Sequence, residues 1–129
     1  MLDNQCTFKK AERISLQKEI DCLFKQGEIF VSYPLRIIYL KQGSLSGAKI
    51  SVLISVPKRK FKHAVKRNRM KRLIREAYRL NKTSLINHCI EKESGLLIAF
   101  IFIGNELCEW KEIEAAMHKA LSTLKEKTE

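Results

Sequence analysis

The chain has 129 residues, 45% of them hydrophobic, and a net charge of +11. That length suits one domain with a real buried core. The longest apolar run, residues 96–103, is far short of the roughly 20 residues a membrane-spanning helix needs, and the N-terminus has no apolar segment of the secretory type.

In chain order, Ser15 to Gln26 reads as a short amphipathic helix. Its Leu16, Ile20, Leu23 and Phe24 share one face, and Gly27 stands at its end. Glu28 to Ser32 and Leu35 to Leu40 follow as strands, with Pro34 at a tolerated edge position. Period-two alternation sets Leu35, Ile37 and Tyr39 on one face and Arg36, Ile38 and Leu40 on the other. The stretch KQGSLSG is a turn by composition. Lys49 to Val56 is a β-branched strand closed by Pro57. Ala64 to Leu80 is the strongest helix. Thr83 to Glu93 fits either a short helix or an ordered loop. Leu96 to Ile103 is apolar on both faces, as expected of a strand covered on both sides. Glu109 to Lys125 is an amphipathic helix whose stripe is Trp110, Ile113, Met117, Ala120, Leu121 and Leu124. The order α-β-β-β-α-β-α predicts one α+β domain over residues 1–129, with residues 1–7 and 126–129 as flexible ends.

Charge is distributed unevenly along these elements. Residues 58–82 carry the whole excess of +11, and the rest of the chain sums to zero. On a helical wheel Met70, Leu73, Ile74, Ala77 and Leu80 form one arc. Asn68, Lys71, Arg72, Arg75 and Arg79 form the opposite one, with Arg67 and Arg69 at the borders. The charged arc is a stripe about 16 Å long at 1.5 Å per residue. Ion pairs along a solvated helix face require interleaved acids, and only Glu76 is available. A membrane surface requires apolar anchors beside the stripe, and the apolar arc is committed to the core. A phosphate backbone supplies the missing negative charge and needs no apolar anchor, and arginine suits bidentate phosphate contacts. Lys58, Arg59, Lys60 and Lys62 extend the charge through the loop before the helix.

Protein-borne chemistry has no constellation to stand on. Cys6, Cys22, Cys89 and Cys108 lack metal-type spacing and read as free thiols, buried or partly buried, in a reducing compartment. His63, His88 and His118 are scattered and read as surface or capping residues. No nucleophile–base order and no metal-ligand cluster is visible.

The run SVPKRKFKHAVKRNRMKRLIREAYR resembles the signature of the bacterial ribonuclease P protein subunit. The match lies in Ser55, Val56, Lys58, Arg59, Ala64, Val65, Arg67, Asn68, Arg69, Lys71, Arg72, Arg75 and Glu76. FKKAERI and LFKQG precede it in family order, so the likeness covers roughly residues 8 to 125. The chain departs from the pattern at Ser51, Leu53, Pro57 and Lys62. The resemblance implies a four-stranded mixed sheet with helices packed on it and a left-handed β-α-β crossover (ribosomal protein S5 domain 2-like), against the general right-handed preference.

It also implies the protein half of a cytoplasmic bacterial RNA enzyme. The RNA subunit, with Mg²⁺ held mainly by that RNA, removes the 5′ leader of precursor tRNA; the protein binds both RNAs. No membrane and no protein partner is implied. Carried over by motif, the catalytic-RNA-binding residues are Lys58, Arg59, Lys60, Lys66, Arg67, Asn68, Arg69, Lys71, Arg72 and Arg75. The leader-binding residues are Arg13, Ile20, Phe24 and Tyr39, since single strands are held by aromatic stacking with cations. The competing classes are a non-enzymatic RNA-binding protein of the ribosome or its assembly, and a DNA-binding helix protein. The latter fits less well, because a strand and a basic loop precede the basic helix.

Overall fold

A computed structural model describes residues 17–42, 50–58, 61–92 and 95–128. Its elements are α1 (Gln17–Gln26), β1 (Glu28–Ser32), β2 (Leu35–Gln42), β3 (Ile50–Ser55), α2 (Ala64–Asn81), α3 (Thr83–Lys92), β4 (Gly95–Phe102) and α4 (Trp110–Lys127). The strands form one sheet in the order β1-β2-β4-β3. Antiparallel pairs join β1 to β2 and β2 to β4, and a parallel pair joins β3 to β4. Parallel neighbours need a long crossover; α2 and α3 supply it.

The sheet is the middle of three layers. On one face Leu35, Ile37 and Tyr39 of β2, Val52 of β3, and Ile98, Phe100 and Phe102 of β4 pack against Met70, Ile74 and Ala77 of α2, Leu85 of α3, and Ile113, Met117 and Leu121 of α4. Each fully buried large side chain stabilises by about 1.5–3 kcal/mol relative to exposure, so this face holds most of the folding energy. On the other face α1 lays Leu23 over Ile38, Leu97 and Ala99, with Ile20, Leu40, Leu53 and Ile101 at the margin. The alternation read from β2 and the two-sided burial of β4 therefore both hold. The α1–β1 joint is tight: a Cβ on Gly27 would strike the Leu23 carbonyl oxygen and come within 2.8 Å of Ile38 Cγ2. Glycine lets the backbone approach there.

The packing resolves or changes several details. Thr83–Lys92 is a helix, because Leu85 and Cys89 recur at i and i+4 and are both buried. Leu80 is 48% exposed, while Tyr78, outside the predicted apolar arc, is fully buried, its ring 5.8 Å from that of Phe100. The α2–α3 joint turns the end of α2 so that Lys82 is fully buried too, its Nζ 5.9 Å over the Tyr78 ring. His88 is buried within α3, contrary to a surface or capping role, whereas His63 and His118 are exposed. The C-terminal end expected to be flexible is helical to Lys127; Thr128 is buried, and both its backbone N–H and its hydroxyl donate to the Leu124 carbonyl. Residues 1–7 lie outside the described residues. The described cysteines, Cys22, Cys89 and Cys108, are free thiols. Burial raises the pKa of Cys89 to about 11, so it is a poor thiolate.

Candidate nucleic-acid interface

Two structural devices hold the basic loop and helix in place. Met70, Ile74, Ala77 and Tyr78 sink one side of α2 into the core. Before the helix, Phe61 is buried with its ring 5.8 Å from that of Phe102. Arg67 closes the joint: its Nη1 donates to the carbonyls of Phe61 at 2.9 Å and Lys62 at 3.0 Å. One nitrogen makes both contacts, which leaves other donors of the guanidinium fork outward. Arg67 thus braces the loop as well as adding charge.

The rest of the stripe faces solvent. Lys66, Asn68, Arg69, Arg72 and Arg75 are exposed and Lys71 is half-buried. Among the described residues Arg69, Arg72 and Arg75 make no hydrogen bond or ion pair within the protein. Arg79 differs: it pairs with Glu76, its Nε donating at 3.2 Å, and the pairing holds the Glu76 carboxyl below the usual carboxylate range. The stripe's effective positive end therefore runs from Lys66 to Arg75, with exposed Lys58 at the entry to the loop. Arg59 and Lys60 lie outside the described residues.

The predicted leader-binding residues do not converge. Phe24 is 48% exposed on α1, free to receive a base, and Ile20 is half-buried beside it at the α1 margin. Tyr39 is 4% exposed and belongs to the opposite face of the sheet. Its hydroxyl donates to the Glu28 carboxylate, and its ring meets Phe30 edge-on at 5.9 Å. Burial first, and that hydrogen bond second, raise its pKa to about 12. Tyr39 is a core residue on the face away from α1, since α1 covers the face of Ile38. Arg13 lies outside the described residues. Ile38 and Arg36 of β2 are on the α1 side instead, as the alternation of β2 predicts.

The family model for ribonuclease P matches residues 8–125. A ribonuclease P protein component of Porphyromonas gingivalis is 46% identical over 112 residues, covering 87% of this chain and 82% of its own. One from Chlorobium phaeobacteroides is 37% identical over 106 residues, covering 76% and 73%. Among solved structures, the Staphylococcus aureus RNase P protein superposes with a TM-score of 0.69 over 89% of this chain and 96% of that one, at 19% identity. A mutant of the same protein gives 0.70 over 97% and 98%, at 21% identity. These two likenesses speak for the fold.

Proposed function

The chain belongs to the ribonuclease P protein family, and from that premise we propose that it binds the ribonuclease P RNA through the Lys66–Arg75 stripe and helps that RNA remove the 5′ leader of precursor tRNA. The observation that carries this reading is a rigid, outward row of arginines with no protein partners among the described residues, on a helix whose other side is locked in the core. An unneutralised row of like charge repels itself, and a polyanion relieves that repulsion while releasing counterions. Lys58, Arg59 and Lys60 extend the contact, and Asn68 adds a neutral hydrogen-bonding group.

In this reading the hydrolysis belongs to the RNA. Among the described residues no three of His, Cys, Asp and Glu come together as a metal cage, and in this reading the Mg²⁺ is held mainly by the RNA. The protein's part is to bind and orient both RNAs. No helix among the described residues is long and apolar enough to cross a membrane, and the reading places the protein in the cytoplasm with its RNA.

The test replaces Arg69, Arg72 and Arg75 with Ala and measures affinity for a bacterial ribonuclease P RNA across salt. Each lost phosphate contact removes roughly 0.7–0.9 from the slope of log K against log salt, so the triple variant flattens it by about 2 to 3 while its melting temperature stays close to the parent's. An unchanged slope places the RNA surface elsewhere. Reconstituted with that RNA, the parent protein promotes 5′ cleavage of precursor tRNA at low Mg²⁺; the protein freed of RNA does not cleave.

A further inference from the structure

Among the described strand residues, the α1 side of the sheet carries one charged side chain, Arg36. The cross-strand rows of this side follow from the register. Ile29, Ile38, Ala99 and Leu53 make one row, and α1 covers its middle through Leu23. The next row is Val31, Arg36, Ile101 and Ser55. Here α1 no longer seals the surface: Val31 is 54% exposed, Arg36 is exposed, and Ile101 and Ser55 are half-buried. Arg36 is thus the one cation of this row, set between the aliphatic side chains of Val31 and Ile101, and among the described residues it has no hydrogen bond or ion pair.

A cation set in a β-strand between two neighbouring strands has its Cα fixed by the ladders on both sides. Its position is less adjustable than that of a cation on a loop. The row also lies at a particular end of the sheet. Ser55 is the last residue of β3, and the chain runs from it through Pro57 to exposed Lys58 and on into the basic helix. Arg36 and the end of β3 that leads to Lys58 thus share one cross-strand row, two strands apart.

We propose that Arg36 binds a backbone phosphate of the single-stranded leader. The strip between Val31 and Ile101 accommodates the sugars and bases, and Arg36 supplies the charge contact that aliphatic neighbours cannot. The inference rests on the proposed function and adds a residue that the motif does not contain. The strip is not a self-association surface in this account, because a second copy docked through the same strip would set its own Arg36 against the first.

The experiment uses the protein reconstituted with ribonuclease P RNA and measures binding of precursor tRNA with an eight-nucleotide leader (~8, longer than the strip) against tRNA with no leader, across salt. The variants are Arg36→Gln and, as a charge control, Lys119→Gln on the exposed side of α4. Arg36→Gln should lose about fivefold of the leader-dependent increment, the upper range for one solvent-exposed charge contact. It should also lower the salt slope of that increment by roughly 0.7, the single-strand value for one phosphate. Lys119→Gln should lose neither, and leaderless tRNA should bind all three alike. A leader increment that Arg36→Gln leaves intact overturns this inference and leaves the proposed function standing. Equal losses for both substrates, with a lowered melting temperature, also overturn it, by making Arg36 structural. A parent protein with no leader increment at all overturns leader binding itself, and this inference with it.

Discussion

The two faces of the sheet are cut from the same strands but finished differently. The face under α2, α3 and α4 is closed: Phe100, Ile98, Ile37 and Leu35 are inaccessible to solvent. The face under α1 is closed only in the middle. One short helix covers Ile38, Leu97 and Ala99, and the edge is left with Ile29, Val31 and Phe24 in water and Arg36 among them. Exposed apolar side chains gathered at one edge cost solubility and mark a surface that another molecule covers. The closed face therefore supports the fold, and the open face remains available to bind.

The largest effect expected from that contrast is on the closed face. Phe100→Ala should cost about 3–5 kcal/mol, the usual range for emptying a core aromatic position, read as a lower denaturation midpoint with unchanged m-value. RNA affinity of the fraction that stays folded should be close to the parent's. A cost under about 1 kcal/mol would mean the closed face is not where stability resides.

Phe24→Leu probes the open face. It should leave the melting temperature nearly unchanged, as surface substitutions do, and weaken binding of long-leader substrate by about 1 kcal/mol or more if the ring stacks on a base. Leaderless tRNA should bind as before. A loss shared by both substrates would erase the distinction between the faces.

Tyr39 gives the smallest and most discriminating result, because it belongs to the closed face although its residue type suited the open one. Tyr39→Phe removes the hydroxyl's bond to Glu28 and should cost on the order of 1 kcal/mol of stability, with no change in leader binding. The pKa of about 12 in the folded protein, against an ordinary value of 10.0, means the native state holds the phenolic proton more tightly. The resulting stabilisation is complete below pH ~10 and is lost as pH rises toward about 12. Tyrosinate absorbance should show one ring ionising near that upper value, and the alkaline loss of stability should shrink in Tyr39→Phe. A leader-specific defect in this variant would return Tyr39 to the cleft.

The β2 strand shows how far the sequence reaches. Its alternation sorted Leu35, Ile37 and Tyr39 from Arg36 and Ile38 correctly, because side-chain direction in a strand depends only on position. The strand pattern cannot say which face α1 covers, so residue type alone points to Tyr39 while the α1 side presents Ile38 and Arg36. The α2 stripe was legible for a similar local reason: a wheel needs only the helical period. Its ends were less legible. Leu80 was assigned to the core and is half in water, while Tyr78 and Lys82 turn inward, because the α2–α3 joint and not the wheel decides what lies over the last turn. His88 is buried for the same kind of reason: the packing of α3, which local pattern does not decide, turns it inward.

By itself the sequence determined what local periodicity and charge density control: the strands, the basic helix, the concentration of positive charge in residues 58–82, and the family signature that spans them. Only the tertiary structure decided which of these charges are available. It engaged Arg67 with the Phe61 and Lys62 carbonyls, paired Arg79 with Glu76, buried Lys82 against Tyr78, and left Arg69, Arg72 and Arg75 outward and Arg36 exposed between Val31 and Ile101. The reason is physical. A side chain's type and phase along an element are local properties, but its partners are set by where distant elements close over it.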